Sequence, residues 1–182
     1  MKTVFVIGGM SESGKSSLGK YLDSRGVRRL KIVTFLRKVM EREGAQGDFY
    51  EWNEQQEKER PLWLKEEFLR EFLSYTQEEE LECCCLESLY RPEFGQFLID
   101  HLGSACVVVY VDIPLDVRIQ RQVIRQELSS LEEAREMLIP RDELKKEWGV
   151  PRIADIAQEI IDNSGTLEDL EKEGNRLIQQ YC

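Results

Sequence analysis

Apolar positions in this chain fall into short runs, separated by longer stretches in which they recur every three or four residues. Thr3 to Ile7 (TVFVI) is a β-branched and aromatic run ending on Gly8 and Gly9, the pattern of a buried strand entering a tight turn. Leu18, Tyr21 and Leu22 then have helical spacing from Ser16 to about Gly26. Leu30 to Phe35 (LKIVTF) predicts a second strand, and Leu36, Val39 and Met40 a helix that breaks at Gly44. Between Asp48 and Glu80, Trp52, Trp63, Phe68, Leu69, Phe72 and Leu73 lie at helical spacings and Pro61 suits a first helical turn, so one or two amphipathic helices are expected. Cys83 to Leu86 is a third apolar run, and Pro92 to Leu102 reads as a helix closed by Gly103. Ala105 to Val111 (ACVVVYV) is apolar on both faces, as a central parallel strand is. Pro114 opens a long helix, and Ser129 to Gly149 is charged and weakly periodic. Glu159 to Asp162 predicts a last strand and Leu167 to Tyr181 a last helix, with Thr166 as N-cap and Asp169 three residues on.

Five strands separated by helices predict an α/β fold with a mainly parallel five-stranded sheet covered on both faces, a three-layer arrangement. Ligands of such sheets bind at the carboxyl ends of the strands. A chain of 182 residues fits a single domain spanning 1–182 with a mobile appendage. No linker of distinct composition divides it.

Composition removes several classes of function. No apolar run approaches the roughly 20 residues of a membrane-spanning helix, and the N-terminus enters a strand-like run without a signal-peptide pattern, so a cytoplasmic protein without membrane partners is expected. The five cysteines agree: Cys83, Cys84 and Cys85 are consecutive, Cys106 lies in a Val-rich run, Cys182 is last, and none has the C-x-x-C spacing of a zinc or redox site. The triplet reads as small buried residues. A net charge of −10 argues against a nucleic-acid surface, so any phosphate chemistry needs a local basic pocket.

Such a pocket is written directly after the first strand. Gly9-Met10-Ser11-Glu12-Ser13-Gly14-Lys15-Ser16 matches G-x-x-x-x-G-K-[ST] at every fixed position, and it stands where a strand ends and a helix begins. The glycines let the backbone curl so that N–H groups point at phosphate oxygens, and the helix adds its positive N-terminal end. Lys15 is expected to reach the β- and γ-phosphates of ATP, and the Ser16 hydroxyl to ligate Mg²⁺. Gly9, Ser11, Ser13, Gly14 and Ser17 complete the expected nucleotide-binding loop. Further on, Arg118, Arg121 and Arg125 are spaced i, i+3, i+7 and share one helical face. Three guanidinium groups in a row repel one another unless anions or carboxylates lie opposite. Phosphoryl transfer supplies that need, and pairing with the many Glu side chains is the plainer alternative. Arg141, inside the charged segment, is placed to close over ATP as part of a lid at 126–150.

These pieces, in this order, resemble the nucleoside monophosphate kinase group of P-loop proteins, and within it dephospho-CoA kinase and the adenylate-kinase-like proteins. The resemblance rests on the phosphate loop, on Asp112-x-Pro114-x-x-x-Arg118-x-x-Arg121, and on the ending Ile161-Asp162-Asn163-Ser164-Gly165-Thr166-Leu167-Glu168-Asp169-Leu170. It covers the first 25 residues and roughly the last 75, and leaves the middle weakly matched. It implies a P-loop kinase with a helical lid that uses ATP and Mg²⁺, with Asn163, Ser164 and Gly165 around the adenine. Where dephospho-CoA kinases carry an Asp after the second strand, this chain reads Val33-Thr34-Phe35-Leu36-Arg37. Thr34 and Arg37 resemble the acceptor-binding Thr and Arg of adenylate-type kinases.

At the end of the third strand, Glu87 is a candidate for the Mg²⁺ shell or the base, and Arg91 for an acceptor phosphate. Asp112 is a second candidate for the carboxylate, and both stay open. The expectation is an ATP- and Mg²⁺-dependent phosphotransferase, monomer or homodimer, with a nucleotide or nucleotide-like acceptor beside the helical segment 48–80. A regulatory ATP-binding protein without an acceptor is the alternative; the absence of N-K-x-D argues against a GTPase. A partner-binding role would need Trp52, Trp63 and Phe68 exposed, and they are expected in the core.

Overall fold

β1 (Thr3–Gly8) is buried along its whole length and occupies the centre of the sheet, between β3 (Cys83–Leu89) and β4 (Cys106–Asp112). β2 (Arg28–Lys31) and β5 (Glu159–Asp162) form the edges, giving the order β2-β3-β1-β4-β5 with every pair parallel. These coordinates come from a computed structural model that describes residues 1–182. Side chains along a strand alternate between faces, and the core divides accordingly. Val4, Val6, Cys84, Leu86, Val108 and Tyr110 point to one face, and Phe5, Ile7, Cys85, Val107, Val109 and Val111 to the other.

The first face is covered by α2 (Ile32–Arg42), α3 (Phe49–Glu59), α4 (Pro61–Glu78) and α5 (Pro92–Leu102). The Phe35 ring there meets Phe68, Phe72 and Tyr75 edge-on at 5.6–5.7 Å, a geometry that aromatic quadrupoles favour. Trp52 and Phe68 are buried and Trp63 is partly buried, so they do not form an exposed patch. The second face is covered by α1 (Lys15–Ser24) and α8 (Leu167–Tyr181) through Leu18, Leu22, Leu170 and Leu177. α6 (Leu115–Gln126) and α7 (Leu131–Glu147) pack on each other around Ile119, Ala134 and Leu138. No helix is long and apolar enough to cross a membrane.

Two elements differ from the sequence reading. The second strand ends at Lys31, and Ile32 starts α2. The β-branched run Ile32-Val33-Thr34 has strand propensity, but Ile32, Phe35, Leu36 and Val39 bury one helical face, and that packing prevails over local preference. The charged stretch is the 17-residue helix α7, with Pro140 inside it. Its buried stripe is only Ala134, Leu138 and Asp142, too thin for a periodic signal.

The carboxyl end of β3 is irregular. Ile7 pairs with Glu87 but Gly8 with Leu89, so Ser88 is an extra residue, and its φ of 72° lies in the left-handed region. Such a bulge costs backbone strain and re-aims neighbouring side chains. It sits beside the phosphate loop.

Candidate active site

The loop after β1 turns on two glycines that no other residue can replace. A Cβ on Gly9 (φ 140°) would stand 2.6 Å from the Val111 carbonyl oxygen, and one on Gly14 (φ 97°) 2.1 Å from Asn163 Nδ2. Gly14 caps α1, whose first residue is Lys15. Asn163 Nδ2 donates to the Ser13 carbonyl at 2.8 Å, so the loop after β5 holds the phosphate loop in shape. Lys15 Nζ donates to the carbonyls of Gly9 (2.8 Å) and Met10 (2.6 Å) and lies 3.3 Å from Ser13 Oγ. Burial is the main reason that its ammonium falls to about 7; Lys145 lowers it further, while Glu12 and Glu87 oppose the shift.

Above the loop opens a cavity of about 760 Å³, within the size range of small-molecule sites. Ser11, Ser13, Gly14, Lys15, Ser16 and Ser17 form its floor, Arg121 and Arg125 one wall, and Asn163 and Gly165 another. α7 contributes Arg141 and Lys145, and Trp148 follows it. Five cationic side chains against the single carboxylate of Glu12 make this a basic pocket in an acidic protein. Lys145 is itself half-buried there, and that partial desolvation lowers its pKa.

The arginines of α6 have three different surroundings. Arg118 is buried and off the cavity wall: its Nη1 donates to Asp142 Oδ2 at 2.5 Å and to the Ser11 carbonyl at 3.2 Å. It therefore ties α7 and the phosphate loop to α6 instead of lining the cavity, because the spacing that gives a shared helical face does not show what packs against each end of it. Arg121 donates to the Gly165 carbonyl at 2.8 Å, and Arg125 pairs with Glu12 at 2.7 Å.

Neither proposed carboxylate lines the cavity. Glu87 is buried beneath α1, where a Cβ on Gly19 would lie 1.9 Å from its Oε1, and both its oxygens accept from Arg29, at 2.7 and 2.8 Å. A carboxylate held this way is not free to serve as base or metal ligand, although it supports the charge on Lys15. Asp112 is exposed at the end of β4, its Oδ1 accepting from the Ile113 N–H at 2.9 Å. No group of three His, Cys, Asp or Glu side chains converges as a metal cage. Mg²⁺ needs none, since it keeps several waters and takes phosphate oxygens plus one or two protein ligands, and the Ser16 hydroxyl on the floor fits that demand.

On the side of α2 and α3 the cavity adjoins a smaller, mostly apolar pocket, with Ser88, Tyr90 and Trp148 common to both. Arg91 lines it but is paired with Glu54 at 2.7 Å. Thr34 and Arg37 do not line it: with the second strand cut short, both fall on α2, Thr34 beside Arg28 and Tyr75 in a separate depression and Arg37 over the Phe49 ring at 4.3 Å. Lys145, Trp148, Tyr90 and Ser88 were absent from the sequence reading. The Trp148-Gly149 pair that ends the charged segment was the available signal for the first two.

No protein-family model matches the chain, and no curated protein matches it. Solved structures do match over nearly the full length. A dephospho-CoA kinase from Campylobacter jejuni is 17% identical with a TM-score of 0.58, covering 99% of this chain and 97% of its own. A shikimate kinase from Bacteroides thetaiotaomicron is 17% identical with a TM-score of 0.53, covering 98% and 97%. A gluconokinase from Sinorhizobium meliloti is 13% identical with a TM-score of 0.52, covering 98% and 95%. An all-parallel sheet in the order found here, with the phosphate loop leaving its central strand, is thus the fold that this chain has in common with P-loop kinases.

Proposed function

We propose that this protein is an ATP- and Mg²⁺-dependent phosphotransferase that moves a γ-phosphoryl group onto a small acceptor held in the side pocket. The observation that carries the reading is the basic cavity over the loop of residues 9–16, opening onto a second pocket across Ser88, Tyr90 and Trp148. The similar solved structures support it, each of them a kinase of a different small molecule. Whether that small molecule is a nucleotide, as the resemblance implies, turns on the charges of the side pocket.

In this reading the loop amides and Lys15 bind the polyphosphate, and the Lys15 ammonium exchanges its loop carbonyls for phosphate oxygens. Mg²⁺ supplies neutralisation of the charge shared by the β- and γ-phosphates. Arg141 and Lys145 reach the cavity from the lid, add fixed positive charge, and with Trp148 exclude water. Asn163 and Arg121 keep the loop and the nucleotide-side turn in register through their hydrogen bonds to Ser13 and Gly165.

One observation favours a second reading, a regulatory ATP-binding protein: both sequence-predicted carboxylates lie off the cavity. ADP release separates the two. The phosphotransferase predicts ATP consumption that rises with an added hydroxyl acceptor and yields a phosphorylated product. Lys15→Ala is expected to lower it by about 10² or more while leaving the fold intact by circular dichroism. Slow hydrolysis indifferent to every acceptor would instead establish the regulatory reading.

A further inference from the structure

The side pocket has a volume of about 120 Å³, well below the roughly 300–1,000 Å³ of sites for drug-sized ligands. Ile32, Val33 and Leu36 of α2, Phe94 of α5 and the rings of Phe49 and Trp148 give it an apolar, aromatic wall. Its charged groups are Glu54, Glu57 and Arg91. Arg91, the one cation, is already engaged: Nη2 donates to Glu54 at 2.7 Å, and the guanidinium carbon lies 6.0 Å from the Trp148 ring. Glu57 has no ion-pair partner within 4.0 Å, and burial pushes its carboxyl above the usual range. Asn53 adds an amide whose Oδ1 is buried and accepts no hydrogen bond. Two buried or half-buried acceptors on this wall, the Glu57 carboxylate and Asn53 Oδ1, thus lack donors, and the hydroxyls of Ser88, Tyr50 and Tyr90 bring no formal charge.

We propose that the acceptor is a small non-phosphorylated hydroxyl compound, uncharged or cationic, with an apolar or aromatic body and N–H donors for Glu57 and Asn53. This assignment rests on the phosphotransferase reading above. A phosphate or carboxylate on the acceptor would have to draw Arg91 away from Glu54 and would then stand beside two carboxylates, an arrangement that like-charge repulsion disfavours. An ammonium or amine gains from the same surroundings, since aromatic faces and a desolvated carboxylate both attract it. A body seated against Phe94 and Ile32 has its hydroxyl free to reach past Ser88 and Tyr90 into the phosphate cavity. There its oxygen bonds to the γ-phosphorus, the bond from that phosphorus to the β–γ bridging oxygen breaks, ADP leaves with the electron pair, and one proton is released. The nucleotide acceptor implied by the sequence resemblance does not suit this charge pattern.

Pairs of acceptors that share a body and differ in charge test the assignment: phenylalaninol against 3-phenyllactate, and cytidine against cytidine monophosphate. They are offered with Mg·ATP for turnover and with Mg·AMP-PNP for thermal shift. The expected result is that the unphosphorylated, non-anionic member of a pair has a kcat/KM at least about tenfold higher, and that Glu57→Gln narrows the ratio by about the same factor. Preference for an anionic member, or a ratio unmoved in a folded Glu57→Gln variant, overturns the proposal. So does a protein that binds Mg·AMP-PNP but none of the four compounds. Failure to bind the nucleotide itself strikes the phosphotransferase reading instead, and the two failures are distinguished by the Mg·AMP-PNP thermal shift alone.

Discussion

Lys15 concentrates the chemistry of the loop in one titratable group. Its ammonium is lowered to about 7, first by burial and then by Lys145, so near neutrality it is poised between charged and neutral forms. A bound polyphosphate favours the charged form, so binding above pH 7 must take up a proton, while below pH 7 the ammonium is already present. Mg·ATP affinity should therefore be level from pH 6 to 7 and weaken by up to about tenfold per unit above it. Calorimetry at pH 8 in buffers of different ionisation enthalpy checks this: the account predicts proton uptake, and a buffer-independent heat would contradict it. The motif alone identified Lys15, because a fixed spacing of Gly, Lys and Ser requires no knowledge of tertiary contacts. The end of the third strand offered Glu87 as base or metal ligand, yet its oxygens are taken by Arg29, a residue 58 positions away. It likewise left Arg91 open, and Glu54 on α3 neutralises it. Charges in sequence show what is available; only packing shows which of them are already spoken for.

At the scale of elements, α7 is tied to α6 by one buried ion pair. Arg118 on α6 and Asp142 on α7 are both largely inaccessible, and the Arg118 Nε and Asp142 Oδ1 atoms have no partner. Removing one member leaves the other charged and buried, so Asp142→Ala should cost about 3–5 kcal/mol in chemical denaturation. Asp142→Asn keeps the shape and an acceptor oxygen; it should be milder in stability yet, in the phosphotransferase reading, raise acceptor-independent ATP hydrolysis as α7 loosens over the cavity. Equal stability of Asp142→Ala and the parent protein would contradict this assignment. α8 offers a plainer case, because its N-terminus was readable from Thr166 and Asp169, and the structure shows the reciprocal capping box. Thr166→Ala should lower stability by about 1 kcal/mol without changing nucleotide affinity. α2 marks the limit of such reading. Ile32, Val33 and Thr34 carry strand propensity, and only the burial of Ile32, Phe35, Leu36 and Val39 along one face makes the segment helical.

Across the whole molecule, an acidic chain gathers five of its 25 Lys and Arg side chains in one cavity. The net charge is −10, yet Lys15, Arg121, Arg125, Arg141 and Lys145 converge at the carboxyl ends of the central strands. The α/β order was legible because β1, the first half of β3 and most of β4 are uninterrupted apolar runs and the loop motif fixed the first of them in place. The side pocket was not legible, since its walls come from α2, α3, α5 and the residue that ends α7, elements whose apolar residues serve the core and the pocket alike. The most direct test of the central claim is a titration of the intact protein with Mg·ATP, followed by its melting temperature and repeated with Lys15→Ala. The account predicts a rise for the parent protein that grows with ligand concentration and is largely lost in the variant; an unmoved melting temperature, or an equal rise in both proteins, would contradict it.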